Sequence, residues 1–149
     1  MAFHFKEQAI EAEQFIQTLA KEFGEPDDLQ KAGRVLRATF HVLRKHLPFN
    51  ESLQLIAQFP LFLKGMYVDG WHISSSKNKK HRLFEFMEEL RTAAGATGNN
   101  DFPDTEHTEK LVRSVFRSLR KYVSLGELED IRSVLPKDLK SLLNTHSFI

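Results

Sequence analysis

The stretch Leu29-Gln-Lys-Ala-Gly-Arg-Val-Leu36-Arg-Ala-Thr-Phe40-His-Val-Leu43-Arg-Lys-His-Leu47 decides the fold. Leu29, Ala32, Leu36, Phe40, Leu43 and Leu47 recur every three or four residues, which places them on one face of an α-helix of about five turns. A polar turn, Glu25-Pro26-Asp27-Asp28, precedes it, and Pro48-Phe49-Asn50 ends it. Upstream, Ala12, Ile16, Leu19 and Phe23 form a second such stripe, and Gly24 supplies the stop. Downstream, Asn50 is the expected N-cap of a short helix carrying Leu53, Ile56 and Ala57. Pro60 suits the first turn of another short helix, Leu61 to Tyr67, because that position has no backbone partner to lose. Val68 to Asn78 reads as a connector.

The pattern then starts again. Leu83, Met87, Leu90, Ala94 and Gly95 repeat Ala12, Ile16, Leu19, Phe23 and Gly24 at a displacement of 71. Five extra residues enter at Ala96 to Asp104, whose Gly, Asn and Asp content predicts a mobile surface loop. From there the displacement is 76: Val112, Phe116, Leu119 and Val123 answer Leu36, Phe40, Leu43 and Leu47. Arg113, Arg120, Lys121, Glu127, Pro136, Leu139 and Lys140 are identical to their counterparts Arg37, Arg44, Lys45, Glu51, Pro60, Leu63 and Lys64. Ser124 and Glu127 have capping-box spacing, with Val123 and Leu128 at the staple positions. No segment combines period-two alternation with a hairpin turn. The expected fold is all-α: two tandem copies of a helical unit, each with two long and two short helices, packed as one bundle-like body. Residues 1–149 form one domain, with copy one at 3–71, a connector at 72–80 and copy two at 81–146.

Composition agrees with a globular chain. At 149 residues it can bury about 68–70% of its unfolded surface, so it needs no metal or disulfide to fold. Thirteen phenylalanines predict a core rich in aromatic rings. With no cysteine, disulfide frameworks, thiolate zinc sites and cysteine nucleophiles are excluded. Met1 to Lys6 lacks the features of a signal peptide, and Leu53 to Val68, the most apolar stretch, is broken by Pro60, Lys64 and Gly65. A cytoplasmic protein without a membrane span is expected. A net charge of +1 gives no global field toward nucleic acid or anionic lipid.

The segment Ala57-Gln58-Phe59-Pro60, followed by Lys64-Gly65-Met66-Tyr67-Val68-Asp69-Gly70-Trp71, resembles the Ala-Gln-Leu-Pro and Arg-Gly-Tyr-Tyr-x-Gly-Trp elements of a largely bacterial family catalogued as domain of unknown function 2267. Leu135-Pro136-Lys137-Asp138-Leu139 is similar to that family's closing element, so the likeness covers most of the chain. The resemblance implies an all-α fold and no established activity. Lys64 stands where the family has arginine, and offers a point charge instead of a planar, bidentate donor.

Three groups of residues could carry function. Gln58, Lys64, Tyr67 and Trp71 offer polar groups beside an aromatic surface, as a small-ligand or partner site does. The bland alternative, which packing statistics favour, is that Trp71 plugs the seam between the copies. The second group is a basic stripe, Arg37, Arg44 and Lys45 with His41 on one long helix, and Arg113, Arg117, Arg120 and Lys121 on its counterpart. It could hold phosphates or a partner, or simply pair with carboxylates such as Glu51 and Glu127. The third is the tract Lys77-Asn-Lys-Lys-His-Arg82, which reads as a solvated linker without aromatics to stack on bases.

Catalytic patterns are thin. His41 and His46 are five apart and diverge around a helix, and no paired metal motif, serine elbow, phosphate loop or dinucleotide fingerprint occurs. Asp101, Asp104 and Glu106 lack the glycine and ligand periodicity of an EF-hand. No cofactor, metal or catalytic residue is expected. The expected function is a non-enzymatic helical interaction or regulatory module acting through a protein surface, such as the groove where the copies meet. The alternatives are a small-ligand binder or enzyme centred on Gln58, Lys64, Tyr67 and Trp71, and, weaker, phosphate-backbone binding through the stripe. The partner is expected to be a protein, then a small molecule, with nucleic acid last. The sequence assigns no oligomeric state.

Overall fold

The computed structural model describes residues 4–72, 82–144 and 148. All regular structure among them is helical: α1 (Phe5–Glu22), α2 (Leu29–His46), α3 (Phe49–Ala57), α4 (Leu61–Val68), α5 (Leu83–Ala94), α6 (Gly98–Asp101), α7 (Thr105–Leu119) and α8 (Leu125–Val134). Three-residue and seven-residue 3₁₀ segments lie at Gly95–Thr97 and Lys137–Leu143. Among the described residues no helix is long and apolar enough to cross a membrane.

Local chemistry sets the helix ends. Asp28 and Asp104 are the N-caps of α2 and α7, and their carboxylates accept the Lys31 and His107 backbone N–H groups at 3.0 and 2.7 Å. Gly24 and Gly95 follow α1 and α5 at φ +78° and +79°, a left-handed conformation that a side chain would strain. Helix α3 begins earlier than expected. Its N-cap is Pro48 instead of Asn50, with the Pro48 carbonyl accepting from Glu51 and Ser52.

One apolar core runs through both halves, from Phe15 and Leu19 of α1 through Leu36, Phe40 and Leu43 of α2 to Val112, Phe116 and Leu119 of α7 and Leu139 near the C-terminus. It is aromatic, as the phenylalanine content predicts: Phe15, Phe40, Phe59, Phe86, Phe102 and Phe116 are all buried, although Phe5, Phe49 and Phe84 are exposed. Helix α2 is the hub, packing against α1, α4, α5 and α7, while α3 lies against α8.

Two expectations are corrected. Ala96 to Asp104 is ordered structure, with the Gly95–Thr97 turn, α6 and a buried Phe102. Arg34 grips Asp101 with two hydrogen bonds (2.9 and 3.0 Å), Thr97 adds a third at 2.7 Å, and Arg91 donates to the Phe102 and Pro103 carbonyls. Those tertiary bonds outweigh the turn-forming composition. In α3 the inward residues are Glu51, Ser52 and Leu55, whereas Leu53 is exposed and Ile56 is half-buried. Burial there follows polar partners: the Ser52 hydroxyl lies 2.7 Å from that of Tyr67.

Candidate functional site

The first expected cluster divides. Tyr67, on α4, is fully buried, with its ring against Phe40 (5.4 Å), Phe59 (6.0 Å) and Trp71 (5.6 Å, edge to face). Burial pushes its phenol up to about 12, against the hydrogen bond to Ser52 and the charge of Arg44, so it stays a neutral core residue. Trp71 is half-buried, with Phe49 beside it at 5.5 Å and the Arg44 guanidinium 5.8 Å from the indole centroid. These neighbours all belong to the N-terminal half. Gln58 turns elsewhere, its Oε1 accepting the Ser124 backbone N–H at 2.8 Å. Lys64 is exposed on α4. The structure thus brings Tyr67 and Trp71 together and sends Gln58 to the start of α8.

Half of the basic stripe, His41, Arg44, Arg113 and Arg120, is occupied by backbone carbonyls of neighbouring segments. Arg44 Nη1 donates to the Tyr67 and Asp69 carbonyls at 2.7 and 2.9 Å, and His41 Nε2 donates to the Met66 carbonyl at 3.1 Å. Cationic and N–H donors satisfy in this way the carbonyls that α4 leaves unpaired at its C-terminus. Desolvation holds His41 below its ordinary value, which favours the neutral ring. In the C-terminal half, Arg113 Nε reaches the Ser141 carbonyl at 3.3 Å and Arg120 Nη1 the Val123 carbonyl at 3.0 Å. Arg113 also pairs with Glu109 (3.1 Å) and Arg117 with Glu22 (3.6 Å), and Lys121 lies over the Tyr122 ring. Arg37 and Lys45 are exposed. The tract from Lys77 onward lies, save for Arg82, outside the described residues.

Glu51 and Glu127 were the carboxylates expected to answer that stripe, and the structure gives them to each other. They are 9% and 6% exposed, on the packed helices α3 and α8, where the Glu51 carboxyl adjoins that of Glu127. Each keeps an Oε2 buried without a partner. Burial, then the neighbouring Glu51 carboxyl, and then Asp130 push the Glu127 carboxyl up to about 7. Ser124 Oγ accepts the Glu127 N–H at 3.1 Å, as capping-box spacing predicts, but Gln58 fills the place that the Glu127 carboxylate has in a closed box. The signal for this pair was in the sequence, as one of the identities at displacement 76.

Opposite this buried face, α3 presents Phe49 and Leu53 at 49% and 46% exposure, one turn apart. Leu61 and Val68, seven residues apart on α4 and therefore on one side of it, are also exposed. Helices α3 and α4 pack together, so their apolar outer residues belong to one supersecondary unit.

Among curated proteins none matches the chain. The model of a family described as an uncharacterized conserved protein (DUF2267) matches residues 12–142, from α1 into the C-terminal 3₁₀ segment. The chain belongs to that family.

Proposed function

We propose that this protein is a non-enzymatic helical interaction module that docks a protein partner on the outer faces of α3 and α4. The observation that carries the reading is the placement of Phe49, Leu53, Leu61 and Val68 in solvent, although each is large and apolar. Covering a leucine or phenylalanine on docking contributes about 1.5–3 kcal/mol each at full burial, enough for a few such residues to dominate an interface. The inner face of α3 meets α8, so a partner seated here adjoins the junction of those two helices. A cytoplasmic location remains the reading, on the cysteine-free composition.

A photo-crosslinking residue at position 53 or 68 of the full chain tests the docking face in native lysate. The same partner should be captured from both positions and not from position 129, which is exposed on α8. Equal capture from position 129 contradicts the reading.

The same reading takes the molecule as two copies of one unit. Three element starts support it: Leu29, Phe49 and Leu61 against Thr105, Leu125 and Lys137, each 76 apart. Burial agrees, since Ala32, Val35, Leu36, Thr39, Phe40 and Leu43 of α2 correspond to Thr108, Leu111, Val112, Val115, Phe116 and Leu119 of α7. The capping pair Asp28 and Asp104 keeps the same displacement. One difference is that the last element of the second copy is 3₁₀ where α4 is α-helical.

A second reading, small-ligand binding beside Trp71, draws support from the half-buried indole flanked by Phe49 and Arg44. It predicts that a metabolite quenches the fluorescence of the single tryptophan, and a metabolite screen that leaves the emission unchanged removes it.

A further inference from the structure

The chemistry of the Glu51–Glu127 contact sets a requirement on protons. Two ionised carboxylates have only acceptors, so two that meet across a buried interface, each with an oxygen lacking a partner, can bond to each other only through a proton. Among the described residues no basic side chain donates a hydrogen bond to either Oε2. Asp130, on α8 itself, adds further negative charge. From the 3₁₀ segment packed on α8, Lys140 donates to the Arg132 and Ser133 carbonyls, while Lys137 and Asp138 are exposed. From α4, packed on α3, Lys64 is exposed. Arg44 and Arg120 spend Nη1 donors on the carbonyls of Tyr67, Asp69 and Val123, and the buried Arg120 Nε has no hydrogen-bond partner, on either carboxyl or elsewhere. Both Oε2 atoms remain without a hydrogen-bond partner.

We propose that Glu51 and Glu127 share one proton, and that this proton is a latch holding α3 against α8 and so joining the two halves of the molecule. The pair sits where the interface is self-equivalent, because Glu127 is the residue 76 positions after Glu51. An isologous contact of this kind brings like against like, and a shared proton turns two identical acids into an attractive pair. Loss of the proton leaves two negative charges in buried contact, and the seam loosens.

The direction with pH follows. Glu127 holds its proton up to about 7 in the folded chain and to the ordinary carboxylate value of 4.5 in the unfolded one. Folding therefore takes up a proton between those values. The stabilisation is fully present below the unfolded value and is lost as pH rises through about 7.

Thermal unfolding of the full chain, followed from about pH 5 to about pH 8.5, tests the latch in wild type, Glu51→Gln and Glu127→Gln. The glutamine amide donates without titrating. Wild type should lose ~4 °C or more in Tm across neutrality, Glu127→Gln should lose much less, and at the alkaline end the variant should be the more stable. A Glu127→Gln variant with the wild-type pH slope overturns the proposal. Should the variants fail to fold, a carbon-13 NMR titration of glutamate carboxyls in the wild-type chain decides it. One carboxyl titrating near neutrality is expected; all glutamates titrating in the ordinary carboxylate range overturns the latch.

Discussion

Gln58, at the end of α3, accepts through Oε1 the backbone N–H of Ser124, the N-cap of α8, at 2.8 Å. One side chain of the N-terminal half thereby completes the helix start of the other half. This leaves the Glu127 carboxyl free of its own cap and available to Glu51 across the seam.

Replacing Gln58 with alanine should cost about 0.5–1.5 kcal/mol, the scale of one partly exposed capping bond. Urea unfolding of the full chain measures it. A loss within error of zero would mean that water serves Ser124 equally well.

Asp101 should matter more. It is 2% exposed and receives two hydrogen bonds from Arg34 and one from Thr97. Burial alone pushes its carboxyl up, but those bonds and the Arg34 charge outweigh it and hold the group below its ordinary value. Its stabilisation is therefore present above the ordinary carboxylate range and lost as pH falls through the lowered value. Asp101→Asn should cost about 2 kcal/mol at neutral pH, discounted because Arg34 is partly exposed. The variant should also flatten the acid limb of a stability-against-pH curve.

Gly98 admits no side chain. A Cβ there lies 2.2 Å from the Arg91 carbonyl oxygen, which is backbone and cannot swing aside. Gly98→Ala should cost ~1–3 kcal/mol by forcing α6 away from α5. Hydrogen exchange should then quicken first around residues 95–103.

How much of this was legible varies by element. Helices α2 and α7 could be read because their apolar residues keep helical spacing, and Gly24 and Gly95 mark stops that only a left-handed residue makes easily. Residues 96–104 were misread because composition records turn propensity and not the guanidinium groups of Arg34 and Arg91 that order the segment. The inward face of α3 was not legible because its outer residues, Phe49 and Leu53, are as apolar as a core, whereas Glu51 and Ser52 are buried by partners on other helices, Glu127 and Tyr67. The Glu51–Glu127 contact follows from the displacement of 76 only when the two halves also meet face to face through α3 and α8. Spacing gives the first condition and the tertiary fold the second.

The docking face is tested most directly by co-purification with tagged full-length protein, comparing wild type with Leu53→Glu. Leu53 is 46% exposed, so the change should alter folding stability by no more than ~0.5 kcal/mol. A specific partner should accompany the wild type and fall ~10-fold or more with the variant, the effect of about 1.4 kcal/mol at the interface. Equal recovery of that partner by both proteins would contradict docking on α3 and α4.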